Sequence, residues 1–284
     1  MISPILEKLC EGQNLSEEEI ELIFSSMMKG ELSDIQSSSF LTALKIKKPS
    51  ADEIFFASNV LLKNLDDVPN HSMELLDLCG TGGDSKSTLN VSTISSLLLA
   101  SLGIKIAKHG NRSVSSKVGS ADLIEKLGLS MDVDLNESLS SIKNTNFSFL
   151  FAPNFHKSMK NVSHIRKDLK MRTIFNILGP LVNPLRPKSQ IMGVYDIELV
   201  PIMAKVLQKQ GVKNALVVHG LDGMDEISIC SKTFIAEVNG KEILEYEFNP
   251  EDYGFKLSSS ESLVIESSDQ SKEITDGIFN NKIK

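Results

Sequence analysis

From residue 73 onward, short apolar runs alternate with longer stretches of helical period, and few folds accept that pattern. The runs are "MELLDLC" (73–79), "IKIAKHG" (104–110), "FSFLFAP" (147–153), "QIMGVYD" (190–196) and "NALVVHG" (214–220). Each is short, near-continuously apolar and bounded by turn residues, as strands covered on both faces are. Between them lie stretches such as "STISSLLLASLG" and "ELVPIMAKVLQKQG", closed by glycine in the manner of helix C-termini. Strand and helix in this order predict a mostly parallel sheet with helices packed around it. "TFIAEVNGKEILEYEF" (233–248) breaks the pattern as a hairpin turning on Asn239-Gly240. The serine-rich "SSSESLVIESSDQS" reads as surface.

The residues before this region carry no strand signal. "NLSEEEIELIFSSMM" offers Ser16 as an N-cap with Glu19 three residues on, and cap-then-apolar patterns follow from Ser33 and Ser50. "NLDDVPNHS" (64–72) is polar, contains a proline and reads as a linker. The predicted fold is α/β: a small N-terminal helical domain (1–68) plus a large α/β domain (69–284) with a central mostly parallel sheet. At 284 residues, 41% hydrophobic and 24% charged, the chain can bury a full core. No apolar run reaches spanning length, and "MISPILEKLCEGQNLSEEE" turns acidic too early for a signal peptide. Cys10, Cys79 and Cys230 are odd in number with no C-x-x-C spacing, which predicts reduced cytoplasmic thiols rather than disulfides or zinc. A net charge of −7 argues against a general binder of nucleic acid or membrane surfaces. A small-molecule enzyme is the expectation.

Chemistry concentrates at strand ends, where open α/β sheets bind ligands. "DLCGTGGDSKSTLNVST" (77–93) places Gly80, Gly82 and Gly83 between a strand and a helix. Bare backbone there lets N–H groups approach an anion, and the helix N-terminus adds positive partial charge. Thr88, Asn90, Ser92 and Thr93 add neutral donors, while Asp84 suits a sugar hydroxyl, a basic side chain or metal-bound water. The loop is neither a Walker A nor a G-x-G-x-x-G motif, and alone it reads equally well as a tight turn. The next strand, however, ends in "AKHGNRSVSSKVGSAD" (107–122), again mixing cations, glycines and hydroxyls. Lys108 and Arg112 there can neutralise phosphates. Two such loops in succession point to a ligand with more than one phosphate.

Two further stretches carry charge. "HKSMKNVSHIRKDLKMR" (156–172) holds six Lys and Arg against one Asp, mostly a solvated helix face. Arg166 and Arg172 are its better binding candidates, because a planar guanidinium matches carboxylate or phosphate. "VVHGLDGMDEISI" (217–229) runs from a strand into Asp222, Asp225 and Glu226. Beside a polyphosphate site, such acids are expected to hold Mg2+ through hard oxygen ligands.

Taken together, "GTGGDSKSTLNVST", "KHGNRSVSSKVGSADLIEKLG", "FLFAPNFHKSMK", "RTIFNILGPLVNP" and "VVHGLDGMDE" resemble anthranilate phosphoribosyltransferase in order and spacing, from about residue 5 to the end. The resemblance implies transfer of the phosphoribosyl group of 5-phosphoribosyl 1-pyrophosphate (PRPP) to the amine of anthranilate, in tryptophan biosynthesis. It implies a nucleoside phosphorylase/phosphoribosyltransferase-like fold, cytoplasmic and homodimeric through the small domains, with no nucleic-acid or membrane partner. Helices around 160–185 would pack back onto the small domain, and the C-terminal helices of the family would be missing after Lys284. Carried over by position, Gly80, Gly82, Gly83, Asp84, Thr88, Asn90, Val91, Ser92 and Thr93 would bind PRPP. Lys108, His109, Gly110, Asn111, Arg112, Ser113, Val114, Ser115, Ser116 and Ser120 would complete that site. Ser92, Asp225 and Glu226 would be the Mg2+ ligands. Gly80, Asn111 and Arg166 would contact anthranilate, with His109 and His156 near its access path. No single acid or base is implied; catalysis would rest on positioning and a metal-assisted leaving group.

Two positions depart from the family pattern. His164 replaces a proline two residues before Arg166, and Lys170 replaces a glycine shortly before "RTIFN". Loss of a rigid and a permissive residue is expected to shift the segment carrying Arg166. Two rival readings are a pyrimidine nucleoside phosphorylase and a non-catalytic nucleic-acid-binding relative. "GTGGD" with "KHGNRS" disfavours the first, and Asp225-Glu226 with net acidity disfavours the second.

Overall fold

The structure is a computed structural model that describes residues 2–65, 68–84, 86–112 and 117–283. Four helices open the chain: α1 (Ser3–Cys10), α2 (Glu17–Lys29), α3 (Asp34–Lys47) and α4 (Ala51–Lys63). Ser16, Ser33 and Ser50 start the last three with reciprocal capping boxes to Glu19, Gln36 and Glu53. Each cap stabilises its helix by about 1 kcal/mol. Glu53 does more than cap. It is fully buried, accepts from Leu15 N–H (3.0 Å) and Ser50 N–H (2.7 Å), and pairs with the buried Lys47 at 2.6 Å. One carboxylate thus ties the α1–α2 connection to the start of α4.

The remaining chain builds one seven-stranded sheet in the order β3-β2-β1-β4-β5-β6-β7. The strands are β1 (Leu76–Gly80), β2 (Ile106–Gly110), β3 (Phe147–Phe151), β4 (Ser189–Gly193), β5 (Asn214–Gly220), β6 (Thr233–Asn239) and β7 (Glu242–Phe248). The first five pair in parallel, and β6 and β7 extend the sheet antiparallel. The hairpin pairs Asn239 with Glu242, so its two-residue loop is Gly240–Lys241. Positive φ occurs at Gly240 (59°) but not at Lys241, the pattern of a II′ turn, so the turn sits one residue later than Asn239-Gly240 suggests.

Helices α5 (Val91–Ser101), α6 (Ser120–Lys126), α7 (Leu135–Thr145), α8 (Ala152–Phe155), α9 (Lys160–Leu169), α10 (Phe175–Leu178), α11 (Leu199–Lys209) and α12 (Ser268–Phe279) fill the connections and the end. Among the described residues, no helix is long and apolar enough to cross a membrane. α9 and α10 leave the sheet and join the first four helices. Val162, Ile165 and Phe175 share one buried cluster with Phe24 and Phe40, and the Phe24 and Phe175 rings meet edge-on at 5.7 Å.

The stretch read as serine-rich surface is only partly so. Ser258, Ser259, Glu261 and Ser262 are exposed, but Ile265 is buried, and Leu263–Ile265 strap the loop after β1. Leu89 N–H donates to Leu263 O (2.8 Å) and Ile265 N–H to Ser87 O (2.9 Å).

Removing the Glu53 carboxylate leaves Lys47 buried without its counter-ion and two N–H groups without acceptors. Glu53→Ala is expected to lower unfolding free energy by about 3–5 kcal/mol in urea titration, and an unchanged midpoint would refute its structural role.

Candidate active site

β1 and β4 are neighbours in the sheet, but the chain leaves them in opposite directions, β2 lying to one side and β5 to the other. That reversal opens a crevice beyond Gly80 and Gly193, which pair across it. The loop after β5 lies over the crevice. A Cβ on Gly193 would overlap the Asp225 carbonyl, and one on Gly80 would approach Asp225 Oδ2 to 2.8 Å. Glycine at both strand ends is therefore what admits the acidic loop. Thr81 N–H donates to Gly193 O (2.9 Å) and Tyr195 N–H to Thr81 Oγ1 (3.1 Å), stitching the two strand ends together.

The glycine loop faces those acids. Gly82 N–H donates to Asp225 Oδ2 at 2.8 Å, and Ser92 N–H, at the start of α5, donates to Glu226 Oε1 at 3.3 Å. A cavity of about 570 Å³ is lined by Gly80, Gly82, Gly83, Asp84, Thr88, Asn90 and Ser92 together with Asp225 and Glu226. Val91 and Thr93 do not line it; Thr93 is fully buried. From the second loop, Lys108, His109, Gly110, Asn111, Arg112 and Ser120 line the same space. Ser113, Val114, Ser115 and Ser116 lie outside the described residues.

Two cations of this loop already have partners within the protein. Lys108 is buried, with Nζ donating to Leu78 O and to Ser92 Oγ (3.2 Å). Arg112 stands at the rim, already paired with Asp122 (2.6 Å) and Glu125 (2.9 Å).

Burial, then the charge of Asp84, raises Asp225 to a pKa of about 6. Burial, then Asp225, raises Glu226 to about 8, although Lys108 pulls the other way. The site is thus rich in carboxylate oxygen and short of positive charge. Among the described residues, no three His, Cys, Asp or Glu side chains form a cage. Two half-buried carboxylates and the Ser92 hydroxyl suit Mg2+, which takes hard oxygens and usually completes its sphere with water and substrate phosphates.

At the other end of the cavity, the His109 and His156 rings meet edge-on at 5.4 Å. His109 Nδ1 lies 3.2 Å from Gly179 O and His156 Nε2 lies 2.9 Å from Val182 O. A carbonyl only accepts, so the geometry assigns the proton to those two nitrogens. His109 Nε2 is left as a buried acceptor without a partner. Burial, then His156, pulls His109 down to about 3, and burial lowers His156, so both rings are neutral at pH 7.

Arg166 projects from α9 into the same end. Its guanidinium lies 5.5 Å from the Phe175 ring and has no hydrogen-bond or ion-pair partner among the described residues. Burial lowers its pKa from the usual arginine value. Lys170 closes α9 in the left-handed conformation (φ 49°, ψ 29°) that a glycine would supply, and His164 reaches Asp34 of α3 at 2.9 Å. Arg172 is not a lining residue. It lies 4.1 Å over the Tyr195 ring and donates to Gly83 O, bracing the glycine loop from behind. Asp222 builds the turn before Asp225, accepting from Ser228 Oγ (2.7 Å) and Met224 N–H (3.2 Å).

Three residues of the site's scaffold escape a motif reading. Gly193 ends a strand with no loop signature. Asp77 is fully buried, accepting from His109 N–H (3.2 Å) and Asn183 Nδ2 (2.9 Å), with burial raising it to about 6. Asn183 also donates to Ala107 O at 2.8 Å. A carboxylate one residue into an apolar run, and an asparagine within "LVNP", were the available signals.

Comparison with known proteins agrees along the whole chain. The model for the glycosyl transferase family, helical bundle domain, matches residues 3–64, and that for the a/b domain matches residues 72–284. An anthranilate phosphoribosyltransferase of Acetivibrio thermocellus is 43% identical over 280 residues, covering 99% of this chain and 81% of the relative. That of Persephonella marina is 44% identical over 264 residues, covering 93% and 78%. The crystal structure of anthranilate phosphoribosyltransferase from Thermus thermophilus superposes with a TM-score of 0.91 at 34% identity, over 98% of this chain and 83% of that one. The Saccharomyces cerevisiae enzyme in complex with PRPP and Mg superposes with a TM-score of 0.87 at 30% identity, over 97% and 80%.

Two outcomes follow from the geometry of this region. A left-handed lysine carries about 1 kcal/mol of strain, so Lys170→Gly is expected to raise the urea midpoint, and a lowered midpoint would refute the strain. His109 binds its proton less readily folded than unfolded, so its contribution to stability is complete above pH 6.5 and lost as pH falls toward about 3. At about pH 5 the loss is about 2 kcal/mol. His109→Asn, which keeps a donor near Gly179 O, is expected to lose that much less on acidification; equal acid sensitivity in both proteins would contradict the assignment.

Proposed function

This chain belongs to the anthranilate phosphoribosyltransferase family, and from that premise we propose how its cleft works. The enzyme transfers the phosphoribosyl group of PRPP to the amine of anthranilate, giving N-(5-phosphoribosyl)anthranilate and pyrophosphate, the second step of tryptophan biosynthesis from chorismate. One observation supports the residue assignments most: a single cavity is lined both by backbone amides and acids and by a half-buried arginine that has no hydrogen-bond or ion-pair partner among the described residues.

The donor end takes PRPP. Gly80 to Asp84, Thr88 and the start of α5 present backbone N–H groups and hydroxyls to the pyrophosphate. Asn111, Arg112 and Ser120, which line the same cavity, take the 5-phosphate and ribose. Breaking the bond from C1 to pyrophosphate builds positive charge on the ribose and negative charge on the leaving group, so preorganised amides at that end lower the barrier. Asp225, Glu226 and the Ser92 hydroxyl would hold Mg2+, which would supply the remaining positive charge for the pyrophosphate.

The acceptor end takes anthranilate. Arg166 pairs with its carboxylate through planar, charge-assisted hydrogen bonds and swings the amine toward C1. The aromatic amine is uncharged at neutral pH and needs no strong base to attack. His109 Nε2, already an acceptor, receives one amine N–H and fixes the nitrogen lone pair on the reacting carbon. Rate then comes from holding two substrates in register, with α9 and the helical domain closing the cleft against water. A division at residue 68, a homodimer through the helical domains and a cytoplasmic location complete the reading; exposed Ile35 and Ile46 on α3 support the dimer.

Turnover is read directly by mixing protein, PRPP, Mg2+ and anthranilate and following anthranilate fluorescence. A decay that needs PRPP and stops with chelator is expected. Arg166→Ala is expected to lower kcat/KM for anthranilate by about a hundredfold, mostly through KM, while KM for PRPP holds. An unchanged anthranilate KM would remove Arg166 from the acceptor site.

A further inference from the structure

A second cavity, of about 200 Å³, opens at the amino-terminal end of β4, the opposite end of that strand from Gly193. It lies between the helical domain and the sheet, with Phe55 and Leu62 of α4 on one side and Val212, just past α11, on the other. Its charges are one-sided. Arg186, Lys188 and Lys209 line it, and no Asp or Glu does among the described residues, although the chain carries a net charge of −7. Lys209 is held by Asp52 at 2.8 Å. Arg186 and Lys188 are exposed and have no side-chain partner among the described residues.

The Gly179–Val182 segment lies between this cavity and the active cleft. Pro180 lines both cavities. Four consecutive carbonyls of that segment each accept from a side chain. Gly179 O and Val182 O take His109 and His156 on the cleft side. Pro180 O takes Gln190 (2.6 Å) and Leu181 O takes Gln210 (3.1 Å), both lining the second cavity.

We propose that this second cavity binds a small organic anion, a carboxylate on a body the size of one ring, and that its occupation slows turnover through the Gly179–Val182 wall. Arg186 and Lys188 take the carboxylate at the mouth, where a guanidinium and an ammonium offer matched donors. Apolar side chains behind them take the ring. A bare phosphate would leave those walls unused, and the cavity falls below the roughly 300–1,000 Å³ of sites for larger ligands. A ligand pressing on Pro180 displaces the carbonyls that orient His109 and His156. It therefore lowers kcat without competing for either substrate.

Benzoate is the probe, with benzamide as its uncharged counterpart. Calorimetric titration of the wild-type protein is expected to show two benzoate sites, one in the cleft at Arg166 and one in the second cavity. Arg186→Asn with Lys188→Gln is expected to keep the cleft site and weaken the other by at least about tenfold, while Arg166→Ala does the reverse. Asparagine tolerates the positive φ of 46° at residue 186, so the double variant keeps its backbone and its uninhibited turnover. Benzoate inhibition is expected to change from mixed in the wild type to purely competitive against anthranilate in the double variant. Identical benzoate titrations of wild type and double variant would overturn the proposal, as would a single site abolished by Arg166→Ala. Equal binding of benzamide, or of inorganic phosphate, would overturn the carboxylate-and-ring assignment. Absence of turnover in wild-type protein without benzoate would instead count against the proposed function.

Discussion

Two half-buried carboxylates met by backbone amides are the constraint around which the rest of the molecule is arranged. Asp225 and Glu226 leave the sheet after β5, while the amides that meet them belong to Gly82 and Ser92 after β1. Burying such acids costs several kcal/mol each unless charge or hydrogen bonds offset it. Here two N–H groups and the buried Lys108 offset part, and the rest appears as carboxyl pKa values raised to about 6 and about 8. The topology makes the meeting possible, because the reversal between β1 and β4 leaves an uncovered crevice at which both loops end. A site left short of positive charge in this way favours a divalent cation arriving with a polyphosphate over either one alone.

The donor loop is also fixed from outside itself. Leu263 and Ile265 pair with Leu89 and Ser87, and Ser271 Oγ on α12 donates to Asn90 Oδ1 at 3.1 Å. Arg172, stacked on Tyr195, holds Gly83 from the other side. These contacts fix the loop's conformation without help from within the loop itself. The acceptor end is ordered differently. Asp77 and Asn183 anchor the segment that follows Val182 to β1 and β2, and the carbonyls before it orient two neutral imidazoles.

Much of this was legible in the amino-acid sequence wherever a local rule and the global fold agree. The three capping boxes at Ser16, Ser33 and Ser50 stand where the S-x-x-E/Q spacing places them, because a cap involves only neighbours in the chain. Apolar runs located the five parallel strands to within a few residues, since strands covered on both faces cannot contain much else. Asp225 and Glu226 were legible as a pair beside the glycine loop. Gly193 was not, because its requirement comes from a loop more than thirty residues later that no local pattern mentions. Nor was the strap at Leu263–Ile265, three apolar residues inside a serine-rich stretch whose value lies in pairing with residues far back in the chain. Lys108 was legible as a site residue but not as a buried one, because burial depends on what covers that face of the sheet, here the start of α5 at Ser92.

The arginines show most sharply where sequence stops and environment begins. Arg112, Arg166 and Arg172 all lie in polar, basic stretches, and composition offers no reason to rank them. In the fold, Arg112 is exposed and neutralised by two acids, so an incoming anion must compete for it and gains little in water. Arg172 has given a hydrogen bond to a carbonyl and its face to a ring, and acts as a brace. Arg166 alone of the three is largely desolvated with its donors unspent and an aromatic ring nearby. Its place in the fold comes from α9, which is anchored elsewhere, through Val162 and Ile165 in the helical core and Asn161 at Met28 O (2.6 Å).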